Sequence, residues 1–343
     1  MDHLRADREP SAGATTDGGG LVAAEQRQHL GVLGARAGLR GSIRFGISAL
    51  ILVGLGLLVD WRSLGVAARS ISLTVLALCA AILVVQVLIG AWRANLFLHI
   101  AGSRTNPAPV FQAYALSVLA NAFLLNFVAG AIARIFLLHR HQVSVSVSIA
   151  TIVAEKVIVF VTLSGLAAVA ALARISTVNR QIPSPREAMF LLGIGIVVIA
   201  ITALTARIWG RFLLSLLQGG TRATLERCLS LLAARTAWLV GTGATLLSLL
   251  CAWAAYTLLA RAMGIEDAGP MIALVLPLVS VIASLPISIG GWGVRELSFG
   301  ALLYGFGVPT EKAILVTAIA SLLGIVAAFV VAVAIFAGKR RPL

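Results

Sequence analysis

Polar residues form a stripe inside one of the long apolar runs of this sequence, between about residues 146 and 172. They recur at intervals of 4, 3, 4 and 7 residues, which is one face of a helix: Ser144, Ser148, Thr151, Glu155 and Thr162. Because a bilayer excludes unpaired charge, we expect this face to point into a helix bundle or a hydrated groove. Glu155 and its neighbour Lys156 are candidates either for an internal Glu–Arg pair that fixes packing or for a substrate or ion pathway.

A second polar segment, residues 285–296, reads LPISIGGWGVRE. Pro286 removes a backbone donor and predicts the end of a helix, and the glycines allow a sharp turn with backbone amides close to a ligand. A helix that restarts at Val294 would offer unpaired amides to an anion, beside the charge of Arg295. The alternative is an ordinary Pro/Gly loop between two spans. The substrate-binding residues predicted in this segment are Pro286, Ser288, Gly290, Gly291, Gly293, Arg295 and Glu296.

An earlier segment, residues 125–134, is a faint counterpart of residues 285–294. The leading Leu and the first Gly coincide when the two are superposed, and the Arg falls one place apart. Broken helices at corresponding places in two halves of a chain are typical of a transporter with a site near the membrane midplane. We therefore predict further substrate-binding residues beside Glu155 and Lys156: Asn121, Asn126, Gly130 and Arg134.

Composition excludes a soluble domain as the scaffold for these residues. The chain of 343 residues is 59% hydrophobic and only 12% charged, whereas soluble domains carry roughly 25% charged residues. The net charge of +14 does not indicate a nucleic-acid partner, because the cations lie in short breaks between apolar runs. The Cys and His residues show no spacing typical of a metal site, and we predict no metal and no cofactor.

The apolar runs predict an all-α, polytopic membrane helix bundle with about eight spans. Broken or re-entrant helices are expected near residues 121–138 and 285–306. Residues 1–40 are predicted to be a disordered cytoplasmic leader, residues 41–338 the membrane domain and residues 339–343 a basic cytoplasmic tail. Both termini are placed in the cytoplasm because both tails are rich in Lys and Arg. The predicted spans lie near 43–59, 71–91, 110–130, 146–172, 188–206, 237–260, 270–289 and 313–337.

One connection conflicts with this eight-span topology. Residues 207–235 contain five Arg, yet counting eight spans puts them outside the cell. Cytoplasmic loops are the ones that ordinarily carry such an excess of cations. A re-entrant segment upstream would remove the conflict.

At these residues the sequence resembles the membrane domain of the lysylphosphatidylglycerol synthase family, the flippase-like domain, over about residues 45–337. Residues 285–296 closely follow the family's late segment. The family's earlier segment is followed in part, with three departures: Asn126 stands where the family has Pro, Ala131 where it has Glu, and Lys156 where it has Arg. Four residues fit that earlier pattern: Asn121, Gly130, Arg134 and Glu155.

The resemblance implies a stand-alone member without the soluble synthase domain. The Ala- and Arg-rich, Lys-poor composition is typical of a high-GC bacterium, so we expect the protein in a bacterial inner membrane. The resemblance also implies a lipid translocase rather than an enzyme. The lipid would be an anionic or aminoacylated phospholipid, a glycolipid or a polyprenyl phosphate. Arg134 and Arg295 would hold the phosphate, with Glu155 and Glu296 balancing the charge or receiving a cationic headgroup. The alternatives are a membrane glycosyl- or acyltransferase, and a non-transporting subunit that presents lipid to a separate glycosyltransferase or lipid-modifying enzyme.

Overall fold

The computed structural model describes residues 71–123, 126–178, 222–284 and 293–338, all within one compact unit, Phe45–Leu343. Every regular element in these ranges is a helix, which confirms the predicted all-α class. The leader at 1–40, the tail at 339–343 and the spans near 43–59 and 188–206 lie outside the described residues. The helices are α1 (Leu73–Ile100), α2 (Pro107–Phe123), α3 (Asn126–His139), α4 (Val145–Val178), α5 (Arg222–Ala233), α6 (Arg235–Ala262), α7 (Ala268–Ala283), α8 (Val294–Tyr304) and α9 (Thr310–Gly338).

Four of the described helices, α1, α4, α6 and α9, are long and apolar enough to cross a membrane. A helix of 28 residues such as α1 is about 42 Å long, which exceeds a hydrocarbon core of about 30 Å. These helices keep large apolar side chains on the outside of the bundle, for example Leu250, which is 55% exposed. Lipid can cover such a surface, so the predicted spans near 71–91, 146–172, 237–260 and 313–337 match membrane-length helices.

The predicted span near 110–130 is instead broken in two. The amide of Gly130 in α3 donates to Oδ1 of Asn121 in α2 at 2.9 Å, although a continuous helix would hold residues nine apart about 13 Å from each other. The chain therefore folds back, and α2 and α3 form a helical hairpin. Helices α7 and α8 also pack against each other, and α7 ends at Ala283, short of the predicted limit of 289. Both breaks fall where they were predicted.

The described helices form two similar groups in chain order. Each group has a long helix, a hairpin of two short helices and another long helix: α1–α4 in the first repeat and α6–α9 in the second. In each repeat, the first short helix packs against the last long helix of the other repeat: α2 contacts α9, and its counterpart α7 contacts α4. Helix α1 packs against its counterpart α6, and Cys79 meets Ala255 whereas Arg93 meets Thr245. These pairings make α1 and α6 antiparallel, so the two repeats are inverted relative to each other.

Candidate functional site

The carboxylate of Glu155, in α4, is the centre of a buried ionic cluster. It is 3% exposed and accepts from two guanidinium groups on other helices. Arg93 of α1 donates from Nε and Nη2 to Oε1 at 3.1 and 2.7 Å, and Arg134 of α3 donates from Nη1 to Oε2 at 2.7 Å. Charge-assisted bonds of this length are among the stronger hydrogen bonds in proteins. Both oxygens are thereby engaged, and the cluster joins α1, α3 and α4.

Arg93 belongs to this cluster although it was not among the predicted site residues. Its remaining nitrogen, Nη1, donates to Oγ1 of Thr245 in α6 at 3.2 Å, and the residue is only 8% exposed. The predicted second span ended at residue 91, which placed Arg93 in a flanking connection. The sequence does carry a signal that Arg93 lies inside a helix. The residues after it are largely apolar, and α1 continues through them to Ile100.

The guanidinium of Arg134 is hydrogen-bonded to Glu155 on one side and has no hydrogen-bond partner among the described residues on its other edge. Its Nε and Nη2 atoms are buried and have no hydrogen-bond partner within the described part of the chain. The whole residue is 5% exposed, and its guanidinium carbon lies 5.8 Å from the centre of the Tyr114 ring. Buried guanidinium N–H groups without partners are costly, so this edge marks a place where a ligand or ordered water would be stabilised.

A cavity of about 530 Å³ lies between the two repeats, with Arg93, Arg134, Glu155 and Lys156 in its wall. This volume falls in the range of small-molecule sites, roughly 300–1,000 Å³. Both hairpins contribute to it. Further polar residues line the wall: Gln86, Tyr114, Ser117, Asn121, Thr245, Ser248, Tyr256, Ser280, Ser284, Arg295 and Ser321.

The cavity lies deep in the bundle. Glu155 comes ten residues after the start of α4, or about 15 Å along the helix axis. Ser321 comes eleven residues after the start of α9, or about 16 Å. Helices α4 and α9 start at opposite ends of the bundle. Glu155 and Ser321 therefore both lie near the middle of a hydrocarbon core about 30 Å thick.

A second polar cluster, from the α7–α8 hairpin, lines the same cavity. Nη1 of Arg295 donates to the hydroxyl of Ser321 in α9 at 2.9 Å, and that hydroxyl donates to Oε1 of Glu296 at 3.4 Å. Oε2 of Glu296 accepts from the amide of Gly293 at 2.7 Å, at a backbone φ of 81° that suits glycine. Glu296 thus caps α8 and is not among the residues that line the cavity, whereas Arg295 is.

The structure brings six of the predicted residues to this cavity and leaves others elsewhere. Asn121, Gly130, Arg134, Glu155, Lys156 and Arg295 line it. Pro286, Ser288, Gly290 and Gly291 lie outside the described residues, as does the side chain of Asn126. In the polar stripe of α4, only Glu155 faces the cavity. Thr151 donates to the Ser148 carbonyl of its own helix at 3.0 Å. Thr162 donates to the Ile158 carbonyl of α4 and forms a hydrogen bond with Thr242 of α6.

The two repeats and the ionic cavity lie within a stretch of the chain that matches a protein-family model. A family model described as the lysylphosphatidylglycerol synthase TM region matches residues 43–334. The chain belongs to this family. Comparison with curated proteins and with solved structures gave no match.

Proposed function

We propose that this member of the lysylphosphatidylglycerol synthase TM family is a carrier that moves lipids with anionic headgroups across the membrane. The observation that supports it most directly is the open edge of Arg134. It is a buried guanidinium with two unpartnered N–H groups, in the wall of a cavity that Lys156 and Arg295 also line. An excess of cations deep among apolar helices is costly unless an anion arrives to balance it.

Inverted repeats supply the movement in this proposal. Carriers built from two inverted repeats bind substrate between them and alternate access by rocking one repeat against the other. Here the headgroup would occupy the cavity while the acyl chains stay in lipid. The carrier model is preferred over an enzyme because both oxygens of Glu155 are held by Arg93 and Arg134, which makes this carboxylate a poor general base.

The distribution of charge supports an orientation for the described helices. The end of α1, the start of α4 and the helix α5 share one apolar cluster, which defines the basic end. It carries Arg104, Arg140, Arg227 and Arg235 against Glu226. The opposite end, where Lys312 donates to the Met263 carbonyl at 3.0 Å, carries Arg261 and Lys312 against Glu266, Asp267 and Glu311. We place the basic end in the cytoplasm.

This orientation removes the conflict over the connection at 207–235. If both hairpins re-enter the membrane instead of spanning it, the eight apolar runs give six crossings, and α5 falls on the cytoplasmic side. Helix α9 starts at the opposite end and finishes at Gly338 on the basic end, as a cytoplasmic C-terminus requires. A single cysteine at Arg140 is expected to react with an impermeant maleimide only from the cytoplasm, and one at Glu266 only from outside. The reverse pattern would refute the orientation.

Transport is tested in proteoliposomes that contain acyl-labelled fluorescent phosphatidylglycerol and an impermeant quencher. The wild-type chain is expected to expose inner-leaflet lipid to the quencher, and Arg134→Gln to lose that activity. Arg104→Gln, an exposed change at the basic end, is the matched control. Lipid that co-purifies without movement would favour a subunit that presents lipid to another enzyme. Neither binding nor movement of any anionic lipid would reject the proposal.

A further inference from the structure

We propose that the cavity selects a phosphate monoester, a doubly charged headgroup, over phosphodiester and aminoacylated headgroups. The inference rests on the proposed lipid function and deepens it. It depends on the geometry of Arg134, on the balance of charge around Glu155, and on the absence of a second carboxylate among the described residues that line the cavity.

The open edge of Arg134 has the geometry of a phosphate fork. Nη1 is taken by Glu155, and the two unpartnered atoms, Nε and Nη2, lie side by side on the guanidinium plane. Two parallel N–H groups on such an edge match two oxygens of one phosphate, the bidentate arrangement that arginine favours. Arg93 cannot compete for this role, because its Nε and Nη2 already bond Oε1 of Glu155.

The balance of charge favours two negative charges on the ligand. Counted as formal charges, Arg93, Arg134 and Lys156 give three positive charges against the single carboxylate of Glu155, which leaves a formal excess of two positive charges. The ion pairs of the cluster join Glu155 to the two arginines and leave Lys156 out. In the second cluster the charge of Arg295 is matched by Glu296, which shares the Ser321 hydroxyl with it. A phosphate monoester approaches a charge of −2 at neutral pH, whereas a diester carries −1.

A cationic headgroup finds no free carboxylate among the described residues of the wall. Glu155 is the one carboxylate among the described lining residues, and both of its oxygens are engaged. An ammonium group placed here would meet three cations and no free carboxylate, so an aminoacylated lipid is disfavoured by like-charge repulsion.

The test compares ligands of equal chain length on the full chain, stripped of co-purified lipid in detergent. Dioctanoyl phosphatidic acid supplies the monoester, dioctanoyl phosphatidylglycerol the diester, its lysyl derivative the cationic headgroup, and inorganic phosphate the soluble form of the same chemistry. At pH 8 the monoester is expected to bind at least about tenfold more tightly than the diester, equivalent to about 1.4 kcal/mol. The preference should shrink at pH 5.5, since the second proton of a phosphate monoester binds with a pKa of about 6.

Two variants tie this preference to the cluster. Arg134→Lys keeps the charge but removes the fork, and should cut monoester affinity about tenfold. Lys156→Met breaks none of the described ion pairs and should reduce the preference for monoester over diester, even if the arginine variant proves unstable. Arg104→Gln, again the exposed control, should leave both affinities unchanged.

The outcomes separate this inference from the proposed function. Equal affinity for monoester and diester, or tighter binding of the lysyl lipid, would overturn the selectivity while leaving a lipid carrier intact if transport persists. Inorganic phosphate that binds as tightly as the lipid would support the monoester chemistry but assign it to a soluble source. Binding of none of the four ligands would overturn the inference, and the transport assay would then judge the carrier on its own.

Discussion

The two hairpins place an arginine at comparable depth but give it different partners. In the first repeat Arg134 pairs with the Glu155 carboxylate, which also holds Arg93. In the second repeat Arg295 donates to the hydroxyl of Ser321, and the nearby carboxylate of Glu296 caps its own helix. Each arginine reaches from the second short helix of its hairpin to the long helix that follows. The scaffold is repeated, but the charge is not.

The difference teaches where binding energy is concentrated. A symmetric scaffold lets the two repeats exchange conformations between the sides of the membrane, and it does not require both halves to hold the ligand equally. The first repeat keeps an excess of +2 and an open guanidinium edge, which suits it to hold an anion. The second repeat is balanced and adds one arginine to the cavity wall, which suits it to close over the ligand.

Glu155→Gln should produce the largest effect of any single change in either repeat. It removes the charge that pairs with both Arg93 and Arg134 and leaves two buried guanidinium groups uncompensated. Breaking a buried pair in this way costs about 3–5 kcal/mol, so we expect a lower melting temperature in detergent and no transport. Glu266→Gln, an exposed loop change, is the control. Unchanged melting for Glu155→Gln would mean that the cluster does not stabilise the fold.

Arg93→Gln should be the next most damaging change. Glu155 then keeps only its bond to Arg134, and Thr245 loses the donor that reaches it at 3.2 Å. Hydrogen bonds to charged groups are worth about 1.5–3 kcal/mol each, so a loss of stability near 2–3 kcal/mol is expected from thermal unfolding. Arg140→Gln, at an exposed arginine, should cost far less. A loss no larger than that control would remove Arg93 from the cluster.

Gly130→Ala tests the close approach within the first hairpin. A Cβ there would overlap Oδ1 of Asn121 and the carbonyl oxygen of Ser117. The Ser117 oxygen belongs to the backbone of α2, so a change of side-chain rotamer cannot relieve that overlap. Forcing the two helices apart is expected to cost about 1–3 kcal/mol and to reduce transport. In the second hairpin, a Cβ at Gly300 would lie 3.0 Å from Cγ2 of Thr310, so Gly300→Ala should be milder. Gly165, which has open space around it, is the control, and equal effects at all three positions would contradict the packing argument.

Sequence predicted the charged residues better than it predicted their surroundings. Arg134 and Glu155 stood out because charge is rare in apolar runs, and the structure brings them together. Arg93 was missed because a span was ended where its charge appeared, although α1 continues past it. A break in the helix was predicted near Gly130. The hydrogen bond from the Gly130 amide to Asn121 was not predicted, because it forms only when α3 folds back against α2. No local pattern encodes such a tertiary contact, or the antiparallel pairing of α1 with α6.

Ser321→Ala should give the smallest effect and separates the two repeats most sharply. It removes the hydroxyl that accepts from Arg295 at 2.9 Å and donates to Glu296, but it breaks no ion pair. A loss of folding stability of about 1 kcal/mol is expected from thermal unfolding, with transport reduced but retained. Thr245→Ala removes the hydroxyl in α6 that Arg93 of the first repeat reaches, and its effect should be comparable because Arg93 keeps its bonds to Glu155. If Ser321→Ala instead abolished transport as fully as Glu155→Gln, the second repeat would bind the ligand as strongly as the first, and the division of roles between the repeats would be wrong.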